Sequence, residues 1–255
     1  MVIEKVDADV RIDVWSDVVC PFCYIGKRRL EKALADTGIS ADIVWHSFQL
    51  DPSTKNDDNR EHATRLAEKY GRSRDWAVQM LAQVTRMAAE EGLEYHFEKA
   101  KAANTADAHR LLHLARELVE AGEVPADTQS RLKERLLRGY FTEGRHVGDH
   151  DTLAELATEV GLPAERVHQV LAGTQYAKEV QDDQAQALSY GATGVPFFVI
   201  DNKYGIGGAQ PLEVFKEALR RANADRQTVT MVSAPTGSGA GSADDPVCGP
   251  DGCPI

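Results

Sequence analysis

Asp13-Val14-Trp15-Ser16-Asp17-Val18-Val19-Cys20-Pro21-Phe22-Cys23-Tyr24-Ile25-Gly26 decides how the rest of the chain is read. β-branched and aromatic residues predict a short strand over residues 10–16. A tight turn then delivers Cys20 to the start of an amphipathic helix over residues 20–37. Cys23, Gly26, Leu30, Ala33 and Leu34 recur at helical spacing and define its inner face. Gly38 follows where a helix C-terminal stop belongs. Residues 42–48, Asp-Ile-Val-Trp-His-Ser-Phe, read as a second strand. Strand, helix and strand in so short a span form a βαβ unit, because parallel strands need such a crossover.

Cys-Pro-Phe-Cys at a strand-to-helix junction is the C-x-x-C arrangement of thiol–disulfide chemistry. With Cys20 as N-cap or first helical residue, its sulfur sits among unpaired backbone N–H groups at the positive end of the helix dipole. That setting favours thiolate over thiol. Pro21 suits the first turn because its missing N–H would have no partner there. Cys23 lies one turn further in, within bridging reach of Cys20 and facing the core. Two plainer readings compete. Half of a zinc site needs two further ligands, but the other cysteines, Cys248 and Cys253, stand at the far end of the chain. His109 and His113 lie one turn apart but lack a nearby third ligand, so they read as ordinary helix residues and no metal is expected. A pair of inert core thiols gives no reason for a proline at the helix start.

The chain of 255 residues is long enough for one large domain or two small ones. Its net charge of −11 argues against phosphate-backbone binding, so no nucleic-acid partner is expected. No apolar run approaches the ~20 residues of a membrane helix. The N-terminal Met-Val-Ile-Glu-Lys-Val-Asp lacks the basic and apolar regions of a signal peptide, so a cytoplasmic protein is expected. In a reducing compartment cysteines are more often catalytic than structural.

The middle of the chain changes character. Residues 51–59 are polar and loop-like, and helical patterns follow. Trp76, Met80, Val84 and Met87 share one face. Ala108, Leu111, Leu112, Ala115, Leu118 and Val119 share another. Further patterns centre on Leu132, Leu136 and Tyr140, on Leu153, Leu156, Ala157 and Val160, and on Val167, Val170 and Leu171 behind Pro163. Residues 174–190 lead back out as a helix. Gly191-Ala192-Thr193-Gly194-Val195-Pro196 breaks the pattern. Phe197–Ile200 and Lys203–Ile206 then read as a hairpin around a two-residue Asp201-Asn202 turn. Pro211 opens a last helix with Leu212, Phe215 and Leu219 inward. Thr228–Val232 suggests one more short strand, and Ala234–Pro246 has the composition of a flexible linker.

The run Ser16–Gly26, then Asn104-Thr105 with Ala108-His109-Arg110, then Thr193-Gly194-Val195-Pro196-Phe197-Phe198, resembles the DsbA-type thioredoxin-fold proteins, and within them the FrnE-like oxidoreductases. The resemblance covers about residues 10–222. It implies an α/β class: a thioredoxin-like fold with an inserted all-helical domain. The first half of the core is assigned to residues 10–50, the helical insertion to 51–190, the second half to 191–224 and a C-terminal tail to 225–255. It also implies a cis Val195–Pro196 bond beside the two sulfurs, with Val195 and Pro196 binding substrate. A cis proline would expose the Val195 backbone as an edge for a substrate polypeptide. Related folds carry a buried carboxylate behind the inner cysteine, which makes Asp13 a candidate proton relay. A solvated strand-end aspartate is the competing reading. Asn104 and Asp107 read as a helix N-cap and its partner, or as substrate contacts on the active-site face.

The function expected is a protein thiol–disulfide oxidoreductase: oxidase, reductase or isomerase. Cys20 attacks or is attacked, and Cys23 resolves the mixed disulfide. No organic cofactor is needed. The partners expected are proteins bearing thiols or disulfides, with thioredoxin or glutathione as recycling partner. One alternative is a glutathione-dependent isomerase or transferase on the same scaffold, whose members usually carry Ser at the position of Cys20 and lack the second cysteine. The other is a redox-responsive chaperone. Cys248 and Cys253 flank Gly-Pro-Asp-Gly, a strong turn former, and are read as an accessory redox pair.

Overall fold

The computed structural model describes residues 8–226. The expected tail strand and the Cys248/Cys253 pair lie outside the described residues. A strand β1 (Val10–Ser16), a helix α1 (Pro21–Thr37) and a strand β2 (Ala41–Ser47) open the chain. Pro21 fills the first helical turn, as its fixed φ favours. Gly38 ends the helix with φ 69°, and its N–H reaches the Leu34 carbonyl at 2.9 Å. A hairpin, β3 (Phe197–Ile200) and β4 (Tyr204–Gly207), and a last helix Leu212–Arg226 close the described chain. Between β2 and β3 run seven helices: α2 (His62–Tyr70), α3 (Arg74–Glu90), α4 (Ala106–Glu120), α5 (Thr128–Phe141), α6 (His150–Glu159), α7 (Ala164–Ala172) and α8 (Ala177–Ser189). The last helix is α9. The fold is thioredoxin-like, with the helices inserted between its halves.

The sheet order is β2-β1-β3-β4. β1 and β2 are parallel, while β3 is antiparallel to both β1 and β4. The period-2 alternation of β1 sorts its side chains onto two faces. Val10, Ile12 and Val14 pack with Phe198 and Ile200 against Leu30 of α1 and Phe215 and Leu219 of α9. On the other face Trp15, Phe197 and Val199 meet Ala187 of α8. The inserted helices share a core around Leu111, Leu114, Leu132, Leu136 and Leu153, and Val18, Tyr24 and Ile25 join that same core. The C-x-x-C helix is thus clamped between the sheet and the insertion.

The hairpin differs from its expected form. Ile200 pairs with Tyr204, so Lys203 joins Asp201 and Asn202 in the turn. Asp201 and Asn202 take φ 49° and 55°, values that short polar side chains tolerate. The Asp201 carboxylate accepts from the Arg11 N–H at 2.8 Å, and its own N–H donates to the Arg11 carbonyl at 2.9 Å. These two bonds seat the turn on β1. No helix among the described residues is long and apolar enough to cross a membrane.

Candidate active site

The first turn of α1 builds the site. Cys20 is its N-cap, with extended backbone, and its N–H donates to the Asp17 carbonyl at 3.3 Å. The Cys23 N–H returns to the Cys20 carbonyl at 3.1 Å. Both cysteines are free thiols and both are buried. Burial, and the Cys20 thiol beside it, push Cys23 well above the usual thiol range. Tyr95 donates to the Pro21 carbonyl at 2.7 Å, which pins the turn from the helical side. Phe22, between the cysteines, is exposed.

The Val195–Pro196 bond is cis. The Cys20 thiol donates to the Val195 carbonyl at 3.5 Å, so this loop faces the outer sulfur. The Pro196 carbonyl accepts from the Gly208 N–H at 2.7 Å, which ties the loop to the end of the hairpin. Val195 is half-buried and Pro196 buried.

Behind the sulfurs lies a buried polar cluster that sequence reasoning missed. Asp17 is wholly enclosed; its carboxylate accepts from the Leu50 N–H at 2.8 Å and from His109 Nε2 at 3.3 Å. Burial opposes its charge, but His109, the Leu50 N–H and the nearby Lys133 together outweigh burial and hold Asp17 below the usual carboxylate range. Burial pushes His109 down, so it is neutral with its proton on Nε2, and Nδ1 has no partner among the described residues. His109 was expected to be an ordinary helix residue; it is fully buried instead. Lys133, on α5, is also fully buried and donates to the Ser16 carbonyl at 3.2 Å. Burial pushes it down to about 8, while Cys23, Asp17 and Cys20 favour its charge. Asp17 and His109 lie in runs that carry the family resemblance, but nothing local in those runs points to a buried pair, and Lys133 sits on a face that reads as ordinary amphipathic helix.

Asp13 takes a different place from the expected proton relay. Its carboxylate accepts from Arg11 Nη2 at 2.8 Å and lies 2.8 Å from His46 Nε2. Burial opposes its charge, yet His46 and Arg11 bring it down to about 2. It is not solvated, and its hydrogen bonds go to Arg11 and His46 and not to Cys23. The reason is strand alternation: Asp13 faces α8, on the side of the sheet away from α1. There it lines a polar cavity of about 450 Å³ with Trp15, His46, Arg116 and Asp183. His113 joins the same network, 3.0 Å from the Asp183 carboxylate.

Asn104 lies one residue upstream of the α4 cap, Thr105. Its side-chain carbonyl accepts from the Ala106 N–H at 3.0 Å and from Gln49 at 3.2 Å. Asp107 binds Arg110 at 2.6 Å and His150 at 2.8 Å. No hydrogen bond joins either residue to a sulfur among the described residues. Likewise, no group of three or more metal-ligating side chains gathers among them.

Against known proteins, the model of the DSBA-like thioredoxin domain matches residues 11–220. The uncharacterised Bacillus subtilis (strain 168) protein YwbO is 31% identical over 216 residues, which span 82% of this chain and 96% of YwbO. The crystal structure of a probable DsbA oxidoreductase from Streptomyces coelicolor is 41% identical, with a TM-score of 0.77 over 96% of this chain and 99% of that one. A 2-hydroxychromene-2-carboxylate isomerase shares the fold at a TM-score of 0.58 and 16% identity, over 86% of this chain and all (100%) of that one.

Proposed function

The chain belongs to the DSBA-like thioredoxin domain family, and from that premise we propose that it is a protein thiol–disulfide oxidoreductase of the FrnE-like subgroup, working through Cys20 and Cys23. The observation that carries the reading is the Cys20 thiol at the N-cap of α1, facing the Val195 carbonyl and backed by Cys23. Cys20 as thiolate attacks a substrate disulfide and forms a mixed disulfide, releasing one substrate thiol. Cys23 then attacks Cys20, the enzyme pair is oxidised and the second substrate thiol leaves. The reverse sequence oxidises a substrate dithiol. The reduction potential of the pair sets the direction.

Val195 and Pro196 are proposed to seat the substrate backbone, and exposed Phe22 supplies apolar contact beside the sulfurs. The proposed division of the chain gives each part its own share of the site. The core halves, 10–50 and 191–224, carry the sulfurs and the proline, while the helical segment 51–190 supplies the buried groups behind them. Cys248 and Cys253 remain proposed as an accessory pair, supported by the turn-forming residues between them. The likeness to the isomerase concerns the fold alone, and the presence of both cysteines weighs against a glutathione-dependent isomerase or transferase.

Insulin-disulfide reduction tests the reading. Cys20→Ser is expected to abolish turnover, and Cys23→Ser to trap substrate as a mixed disulfide. Wild-type turnover by both variants would sink it. Replacing Cys248 and Cys253 with serine in the same assay is expected to slow turnover, and an unchanged rate and potential would make the tail a passenger.

A further inference from the structure

The first turn of α1 offers few donors to the outer sulfur. Pro21 has no N–H, and the Cys23 N–H is spent on the Cys20 carbonyl at 3.1 Å. The Phe22 N–H has no partner among the described residues. Cys20 is the N-cap, and an N-cap side chain accepts from the N–H two or three residues on. The Phe22 N–H is therefore the donor left for the sulfur. As a thiol the sulfur donates the other way, to the Val195 carbonyl at 3.5 Å. A thiolate has no proton to give that carbonyl, and its charge draws it to an N–H. The peptide unit that carries the Phe22 N–H also carries the Pro21 carbonyl, and that carbonyl accepts from the Tyr95 hydroxyl at 2.7 Å. Inside a helix a carbonyl already faces the N–H four residues on, so the phenol is a second donor to it. Tyr95 belongs to the segment between α3 and α4, outside the thioredoxin core. Its neighbours are tied to the end of α5. The His96 N–H donates to the Phe141 carbonyl at 2.7 Å, and the Glu94 carbonyl accepts from the Thr142 hydroxyl at 2.7 Å. The Tyr95 ring stacks on Phe141 with centres 4.5 Å apart and on Tyr24 at 6.1 Å. Tyr95 is buried, and burial together with the nearby cysteines pushes its phenol well above the usual range, so it keeps its proton and stays a donor. Any buried phenol needs an acceptor. The acceptor here belongs to the one peptide whose N–H is left for the sulfur.

We propose that Tyr95 is a positioning residue for Cys20: by donating to the Pro21 carbonyl it polarises the Pro21–Phe22 peptide and strengthens the Phe22 N–H as a donor to the Cys20 thiolate. Hydrogen bonds chained through one amide reinforce each other, by roughly 10–30% per bond. The proposal rests on the thiol–disulfide reading and adds to it a residue from the helical insertion. The Cys20 thiolate is the species that attacks a substrate disulfide. It is also the group that leaves when a substrate dithiol is oxidised. There the second substrate sulfur attacks the first, the substrate disulfide forms, the Cys20–substrate bond breaks, and its electron pair departs on Cys20. Negative charge is thus on Cys20 in both directions, and stabilising it favours the reduced pair over the enzyme disulfide.

The test is Tyr95→Phe, which keeps the ring and its stacking and removes only the hydroxyl, with Tyr24→Phe as the comparison. Tyr24→Phe also takes a hydroxyl from the contact between α1 and the insertion, the one bonded to Glu134 at 2.5 Å, without touching Pro21. The first readout is the equilibrium in glutathione buffers, where two enzyme thiols become the enzyme disulfide as one glutathione disulfide becomes two thiols. Tyr95→Phe is expected to shift it toward the enzyme disulfide by roughly two- to fourfold. The second is alkylation of Cys20 by iodoacetamide, located by peptide mass, which is expected to slow by a similar factor. Cys20 is buried, so a turn that has merely loosened would be alkylated faster. Tyr24→Phe is expected to match wild type in both. An unchanged equilibrium, faster alkylation, or the same shift in Tyr24→Phe overturns the proposal. Should Tyr95→Phe not fold, the wild-type chain answers by NMR. The Phe22 amide proton is expected to move downfield as the Cys20 thiolate forms in reduced protein, and to hold its position in oxidised protein over the same pH range. A Phe22 amide indifferent to the thiolate overturns the proposal. Insulin reduction that survives Cys20→Ser removes the oxidoreductase reading itself. Cys20-dependent reduction with no response to Tyr95→Phe removes the role of Tyr95 alone.

Discussion

Gly26 stands one turn beyond Cys23, where α1 crosses the cis-proline loop. A Cβ there would meet Pro196 Cγ at 3.0 Å and Phe198 Cζ at 3.1 Å. Neither neighbour yields easily. The proline ring is rigid, and Phe198 is buried edge-on against Phe215 with ring centres 4.9 Å apart. Alanine would gain about 1 kcal/mol of helix propensity and lose roughly 1–3 kcal/mol to overpacking. Gly26→Ala is therefore expected to lower stability in urea unfolding, and to impair disulfide reduction beyond that loss by pushing Pro196 against Cys20. A stabilised, fully active variant would contradict the packing argument. At this scale the sequence was legible wherever chemistry is local. Cys20, Cys23 and Pro196 lie in short motifs whose residues explain one another. Lys133 and His109 were not legible, because their partners Ser16 and Asp17 are remote in the chain and each sits in a helix whose pattern asks for nothing unusual.

Helix α8 is tied to the sheet by a charged clamp that periodicity could not announce. The pattern predicted a helix over residues 174–190, and α8 occupies Ala177–Ser189. The pattern said nothing of Asp183, a polar residue on the buried face. Its Oδ1 lies 2.8 Å from His46 Nδ1, and Asp13 Oδ1 lies 2.8 Å from His46 Nε2. With a carboxylate on each side, both ring nitrogens donate, which makes His46 an imidazolium. Burial opposes its charge, but the two carboxylates outweigh burial and raise His46 above the usual 6.5. Asp183 is lowered in turn, since His113 and His46 overcome its own burial. The contribution of His46 is complete below 6.5 and fades as pH climbs through its raised folded value. That of the two aspartates is complete above 3.8 and fades as pH falls, through about 2 for Asp13. The clamp is thus whole between roughly pH 4 and 6.5. Asp183→Asn is expected to cost about 3–5 kcal/mol inside that window, measured by urea unfolding. The deficit should shrink at alkaline pH toward the worth of the Ser47 N–H bond to Asp183. A deficit independent of pH would show that the ring carries no charge.

Across the whole molecule, one helix of the insertion does two jobs through adjacent side chains. α5 turns Lys133 toward the C-x-x-C turn and Glu134 toward the outer side of α1. Glu134 gathers Lys27, Arg28 and the Tyr24 hydroxyl, three residues of α1, around one carboxylate. Lys27 is itself buried, so the pair is shielded from solvent and salt in a way that surface pairs are not. Burial opposes the charge of Glu134, but Arg28, Lys27 and Tyr24 outweigh it and bring the carboxyl down to about 2. Its contribution is therefore fully present above 4.5 and is lost as pH falls through that low value. Glu134→Gln keeps the shape and some hydrogen bonds while removing the charge, which leaves the Lys27 ammonium with Glu31 alone. The expected loss is about 1–3 kcal/mol at neutral pH, converging on wild type below about pH 2 where the native carboxyl is also neutral. Hydrogen exchange should locate the effect. Amides of α1 and α5 are expected to open together more often, while β3, β4 and α9 keep their wild-type protection. Faster exchange spread evenly over the chain would mean that Glu134 acts on global stability and not on the seam between the insertion and the redox helix.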